Sequence, residues 1–174
     1  MTQPVIWNPF TNNFDFQGTS GGGGGSPIAF DISLSGNISN ITGDGSVYQI
    51  PLNTVNLDTN SAFDMSTNNY VFPVTGIYQI NMLFYIFSSS SDVSSTVFTG
   101  YAFINGATNF RLIDADPQSL GLSTAQEFIA TASFLYNATL GDTMGMFVNS
   151  ANGTKNIGVA GGVESCRFSG FKIG

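Results

Sequence analysis

From position 27 onward, apolar residues fall into short runs separated by clusters of Gly, Asn, Asp and Ser. Runs rich in Val, Ile, Phe and Tyr between such breaks read as β-strands. The candidates cover 28–35, 47–57, 69–74, 76–87, 96–107, 109–114, 124–139, 143–150, 156–161 and 164–173. No window shows helical periodicity flanked by capping residues. The count and spacing predict an all-β sandwich or jelly roll. The stretches 88–96 and 114–123 read as exposed loops, and no solenoid repeat is present.

The run GIYQINMLFYIF (76–87) is the most informative. Tyr78, Ile80, Met82, Phe84 and Ile86 alternate onto one wholly apolar face. Ile77, Gln79, Asn81, Leu83, Tyr85 and Phe87 share the other, which is half polar yet too apolar for open solvent. A strand apolar on both faces is normally covered on both. In a single sandwich the outer cover comes from another chain, or from the N-terminal segment or a long loop.

Residues 1–26 break the pattern. Trp7, Phe10, Phe14 and Phe16 crowd a short segment that Pro4 and Pro9 keep from being helical. A Gly-rich stretch follows at 18–26. It lacks the lysine and the preceding strand of a phosphate loop and reads as a flexible tether. A lone aromatic peptide cannot offset its own ordering entropy, so these rings must bury against something. The expected organisation is an extended aromatic anchor arm (1–17), a tether (18–26) and one β domain (27–174). The alternatives for the arm are an added strand on its own sandwich or an idle tail.

Composition narrows the function. The 174 residues carry only 9% charged side chains, a net charge of −7 and no histidine. Arg111, Lys155, Arg167 and Lys172 are scattered, so no basic stripe exists for nucleic acid. No apolar run is long enough to span a bilayer, so no membrane insertion is expected, and no signal peptide is evident. Without histidine, Ser-His-Asp and Cys-His pairs are excluded, as are zinc sites of the usual Cys/His type. Cys166, the sole cysteine, reads as a buried structural thiol. Asp114 and Asp116, and separately Asp44, offer carboxylates to calcium, but neither group has the spacing of a dedicated loop. No catalytic residue, cofactor or metal ligand is assigned, and the chain is expected not to be an enzyme.

AFDMSTNNYVFPVTGIYQINMLF (62–84) carries a further signal. Phe63, Asp64, Tyr70, Pro73, Gly76, Tyr78 and Ile80 follow the motif of the complement C1q globular domain, within the tumour-necrosis-factor-like jelly-roll superfamily. IAFDISLSG, FINGA, LGDTMGMFV and the closing CRFSGFKIG fall in that family's order. Residues 27–174 thus resemble this family. YNATL before Gly141 departs from its usual pattern, and no collagen-like segment is present.

The resemblance implies a ten-stranded jelly roll that assembles as a homotrimer and binds rather than catalyses. Its trimer-facing positions would be Gln79, Asn81, Leu83 and Tyr85, joined by Phe168 and Lys172, with Phe171 and Ile173 turned inward. Some family members bind calcium, but no ligand set carries over. The arm resembles short WNP-x-T…F-D segments of phage and viral fibre or virion proteins. Together these features lead to the expectation of a trimeric structural protein on a virus particle. It would be a fibre knob or a capsid or tail decoration, made in the host cytoplasm. Its expected partners are neighbouring subunits held through the arm, and a host surface receptor. The alternative is a self-assembling extracellular filament or bacterial surface protein.

Overall fold

A computed structural model describes residues 5–8, 13–16, 27–88, 97–116, 127–151, 154–162 and 165–173. In chain order the strands are β1 (Val5–Asn8), β2 (Asn13–Phe16), β3 (Ala29–Ser33), β4 (Ile38–Thr42), β5 (Asp44–Gln49), β6 (Thr54–Asp58), β7 (Phe63–Asp64) and β8 (Asn69–Val71). They continue with β9 (Gly76–Ser88), β10 (Val97–Ile104), β11 (Thr108–Ala115), β12 (Glu127–Ala138), β13 (Thr143–Ala151), β14 (Ile157–Val159) and β15 (Arg167–Ile173). No helix occurs among the described residues.

β3 to β15 build two facing sheets. The first runs β11-β10-β13-β8-β7, with β5 tied to β13 by Gly43 N–H to Ser150 O and Ile50 N–H to Met146 O. The second is organised around β9. β12 pairs with one edge of β9 along its whole length. The other edge takes β15 over 77–83 and β14 over 86–88. Beyond them lie β3 and β6 on one branch and β4 on the other.

The core sits between the sheets, as alternation in β9 predicts. Tyr78, Ile80, Met82, Phe84 and Ile86 are all buried. Phe30 stacks on Tyr70 at 3.7 Å, and Phe72 meets Tyr78 edge-on at 4.8 Å. Each fully buried ring or branched chain contributes about 1.5–3 kcal/mol of transfer free energy.

The ten expected runs all contain strands, with three differences. The run 47–57 splits in two. Ile50 still bonds to β13, Pro51 offers no N–H, and Asn53 N–H donates to Ser33 O in the other sheet (3.0 Å). The chain therefore crosses between sheets within three residues. β4 falls between the expected runs, because its two apolar residues, Ile38 and Ile41, are three apart rather than two; the left-handed Asn40 (φ 58°) lies between them. β7 is too short to carry a pattern. Of the expected loops, residues 89–96 and 117–126 lie outside the described residues, while Ser88 closes β9 and Asp114 belongs to β11.

Among the described residues β1 pairs with β2, in register from Val5↔Phe16 to Asn8↔Asn13 with Trp7↔Phe14 between. Among the described residues this two-stranded pair belongs to neither sheet of the sandwich. Phe10 and the tether 18–26 lie outside the described residues.

Candidate functional site

The outer face of the β9 sheet is built from cross-strand rows fixed by register. At one end Ile173, Ile77 and Asn137 lie side by side, then Phe171, Gln79 and Leu135. Next come Ser169, Asn81 and Ser133, then Arg167, Leu83 and Thr131. Tyr85 beside Ile129 and Phe87 beside Glu127 complete the face. Five of its apolar side chains, Ile77, Ile129, Leu135, Phe171 and Ile173, are between 44% and 62% exposed. Apolar exposure concentrated on one sheet face marks an interaction surface.

The centre of the face is polar and internally paired. Gln79 Nε2 donates to Ser133 Oγ (2.7 Å), and the Ser133 hydroxyl donates to Asn81 Oδ1 (2.8 Å). Arg167 forms a two-pronged ion pair with Asp31 through Nε and Nη2. That pair raises the guanidinium pKa further. Between these groups lies a hollow of about 260 Å³ lined by Asn81, Leu83, Thr131, Ser133, Arg167 and Ser169. At the far end the Tyr85 hydroxyl donates to Glu127 (2.5 Å), which pushes the phenol pKa above its ordinary value. Several of these polar groups thus engage one another across the strands, which lowers the cost of covering the face.

A second, different surface lies along the free side of β12. Phe110 of β11 is exposed and sits parallel to Phe134 at 6.5 Å, with Tyr136 at 6.4 Å. β12 itself has an unbroken 127–138 register with β9, no proline and one charged residue, Glu127. Edge strands are normally blunted by charge, proline or bulges, and among the described residues Glu127 alone does so here.

Gln79, Asn81, Leu83 and Tyr85 therefore occupy the outer face, each half-buried. Phe168 does not join them. It is opposite Met82 and fully buried in the core. Lys172 lies opposite Tyr78, also on the core side, with its stem across Gly76. Phe171 and Ile173, expected to point inward, are the exposed pair. The assumed phase of β15 was off by one residue, and with a two-residue period that exchanges every side chain. Sequence reasoning also missed Ile129, Leu135 and the Arg167–Asp31 pair, which become legible only through the pairing of β9 with β12 and β15.

Cys166 is buried just before β15, hydrogen-bonded in both directions to the Tyr85 backbone. Burial pushes its thiol up to about 11, which disfavours the nucleophilic thiolate. Asp44 is engaged by Ser46 and Lys155, and Asp114 by Arg111. Among the described residues no three His, Cys, Asp or Glu side chains converge as metal ligands.

No protein-family model matches the sequence, and no curated protein matches it. Solved structures do. The globular domain of zebrafish complement 1qA superposes with a TM-score of 0.57 at 14% identity, covering 86% of this chain and 98% of that one. A crystal structure of murine APRIL, of the tumour-necrosis-factor family, gives 0.59 at 10% identity, covering 85% and 100%. The chain has the C1q/tumour-necrosis-factor-like jelly-roll fold. In this C1q/tumour-necrosis-factor-like sandwich, β9 is the central strand of one sheet and its outer face is left without a cover from the chain's own described residues.

Proposed function

We propose that the protein is a non-enzymatic, trimeric structural and binding protein of a virus particle, a fibre knob or capsid or tail decoration, fixed by its N-terminal arm. The observation that carries the trimer is the pairing of two unlike apolar surfaces: the outer face of the β9 sheet, and the β12 edge with Phe110 beside it. A two-fold dimer needs one self-complementary patch, whereas unlike patches on adjoining sides close into a ring. The outer face of one subunit receives the β12 edge of the next, and three such contacts bury both. This reading agrees with the fold, and it gives Gln79, Asn81, Leu83 and Tyr85 seam positions.

The virion setting rests on the aromatic arm and its tether. Among the described residues the β1–β2 pair joins neither sheet of the head, which is in keeping with an arm that engages another chain. The same observation supports a second reading, an extracellular filament in which each arm engages the next subunit. Deleting residues 1–26 tests both. The head stays a folded trimer and no longer incorporates into the particle. If the purified full-length protein polymerises alone and the deletion stops it, the filament reading replaces the first. A deletion that leaves stability, incorporation and polymerisation unchanged would end both.

A further inference from the structure

The connection between β10 and β11 turns on Asn105 and Gly106, whose φ values are 52° and 68°. Ala107 N–H donates to Ile104 O (3.1 Å) and closes the turn over them. Positive φ at both central positions is the geometry that Asn-Gly serves in a tight hairpin. Residues 105–107 are exposed, and a Cβ on Gly106 would meet nothing within 4 Å, so the turn lies open to water. The Asn105 side chain is nevertheless held at both ends. Its Oδ1 accepts from Thr143 N–H (2.8 Å), and its Nδ2 donates to Asp142 Oδ1 (2.9 Å). Asp142 takes Thr139 N–H and the Tyr136 hydroxyl on its other oxygen. Asn105 therefore links the β10–β11 turn to the turn after β12.

We propose that Asn105 is a deamidation site that the closed head protects, and that its conversion keeps an opened head from closing again. A following glycine has no side chain to shield its amide nitrogen or to restrict the backbone. In the opened chain the Gly106 nitrogen attacks Asn105 Cγ. The new C–N bond forms as the Cγ–Nδ2 bond breaks, and the Gly106 amide proton leaves with the nitrogen as ammonia. Water then opens the cyclic imide. Attack at Cγ gives aspartate, and attack at the main-chain carbonyl gives isoaspartate. One water enters and one ammonia leaves, with no oxidant or reductant.

The fold opposes this reaction in two ways. Ring closure bends the side chain back onto its own backbone, so both bonds to Asp142 and Thr143 must first be given up. The bond from Ala107 to Ile104 also fixes the backbone on either side of the reacting peptide. Either product then opposes refolding. An aspartate at 105 cannot donate, so two carboxylates would face each other at hydrogen-bond distance, where like charges repel. An isoaspartate lengthens the main chain inside a tight turn and disturbs the register of β10 with β11.

The test holds the full-length protein in mildly alkaline buffer, with and without urea above its unfolding midpoint. Chymotrypsin, cutting after Phe103 and Phe110, then releases residues 104–110. Mass spectrometry locates the conversion of amide to acid, and labelling by an isoaspartyl methyltransferase counts the isoaspartate. The chain's other Asn-Gly pair, Asn152–Gly153, is the internal standard in urea, where local sequence sets the rate. The expected result is similar conversion of the two pairs in urea and many-fold slower conversion of Asn105 without it. On removal of urea, chains converted at 105 should be depleted from the refolded fraction. Equal Asn105 rates with and without urea overturn the proposal, as does refolding of converted chains as efficient as that of unconverted ones.

Two variants isolate the aspartate product. Asn105→Asp is expected to lower the urea midpoint. Adding Asp142→Asn places an amide donor opposite the new carboxylate and is expected to recover much of the loss. An Asn105→Asp protein as stable as the wild type, or a double variant that recovers nothing, overturns the assigned cause.

Discussion

Phe168 lies directly opposite Met82 across the β15–β9 pair, and both are buried in the core. Three residues on, Phe171 lies opposite Gln79 and is about half exposed on the outer face. Two phenylalanines on one strand therefore have opposite duties. Phe168→Ala is expected to cost about 3–5 kcal/mol of stability, as for a large ring removed from a packed core. Phe171→Asp is expected to leave the circular dichroism of a folded β protein while abolishing association, because it buries an unpaired charge in the seam. Thermal melts and sedimentation of the two variants check this, and exchanged phenotypes would return β15 to the other phase.

Gly100 in β10 faces Phe84 in β9 across the core. A Cβ on Gly100 would sit 2.9 Å from Phe84 Cζ, with two further ring atoms at 3.1 Å. Phe84 is itself fully buried and has nowhere to swing. Gly100→Ala is expected to destabilise by about 1–3 kcal/mol through overpacking. Adding Phe84→Leu should recover part of that loss, because the two sites couple directly. Urea unfolding of the single and double variants measures the coupling, and strict additivity would argue against the contact.

Much of this was legible in the sequence, and the reason lies in particular residues. Tyr78 to Ile86 alternate so regularly that β9, its core face and its second, unsatisfied face could be read directly. β15 could be recognised as a strand but not phased. In RFSGFKI, Phe168 and Phe171 fall on opposite faces, so only the pairing with Met82 and Gln79 decides which is buried. The crossing at Ile50–Asn53 was invisible for a similar reason, since both flanks look like strand and only their hydrogen-bond partners differ. Ile129 and Leu135 gained meaning only when β12 was placed beside β9. Long, regular strands announce themselves, whereas the set of side chains that share the outer face is a property of register.

Asp142 anchors the turn after β12. It accepts hydrogen bonds from Asn105 Nδ2 (2.9 Å), from Thr139 N–H (2.8 Å) and from the Tyr136 hydroxyl (2.8 Å). These bonds, that of Asn105 foremost, hold its carboxyl below the ordinary 3.8. A depressed acid stabilises the fold fully above its unfolded value and loses that contribution as pH falls through the folded one. Acidification below about pH 4 is therefore expected to erode stability in part through this site. In Asp142→Asn the protein should be less stable at neutral pH and its acid limb shallower. Urea midpoints across the pH range decide it; an unchanged acid limb would remove Asp142 from the account.

Tyr70 is fully buried against Phe30 and Phe72, and its hydroxyl finds no hydrogen-bond partner among the described residues. Burial pushes its pKa well above the ordinary tyrosine value, so it stays neutral. Removing an unpaired buried hydroxyl relieves a desolvation cost of about 1–3 kcal/mol. Tyr70→Phe is accordingly expected to be neutral or stabilising in urea unfolding. A loss of more than about 1 kcal/mol would show that the hydroxyl is hydrogen-bonded.

The central claim is that the outer face of the β9 sheet is a seam between three copies of this chain. The mass of the full-length protein in dilute solution tests it most directly. Sedimentation equilibrium is expected to give three times the 18.4 kDa of a single chain, falling to one chain for Phe171→Asp. A wild-type protein that stays at the single-chain mass at micromolar concentration would contradict the claim, as would a Phe171→Asp variant that keeps the triple mass.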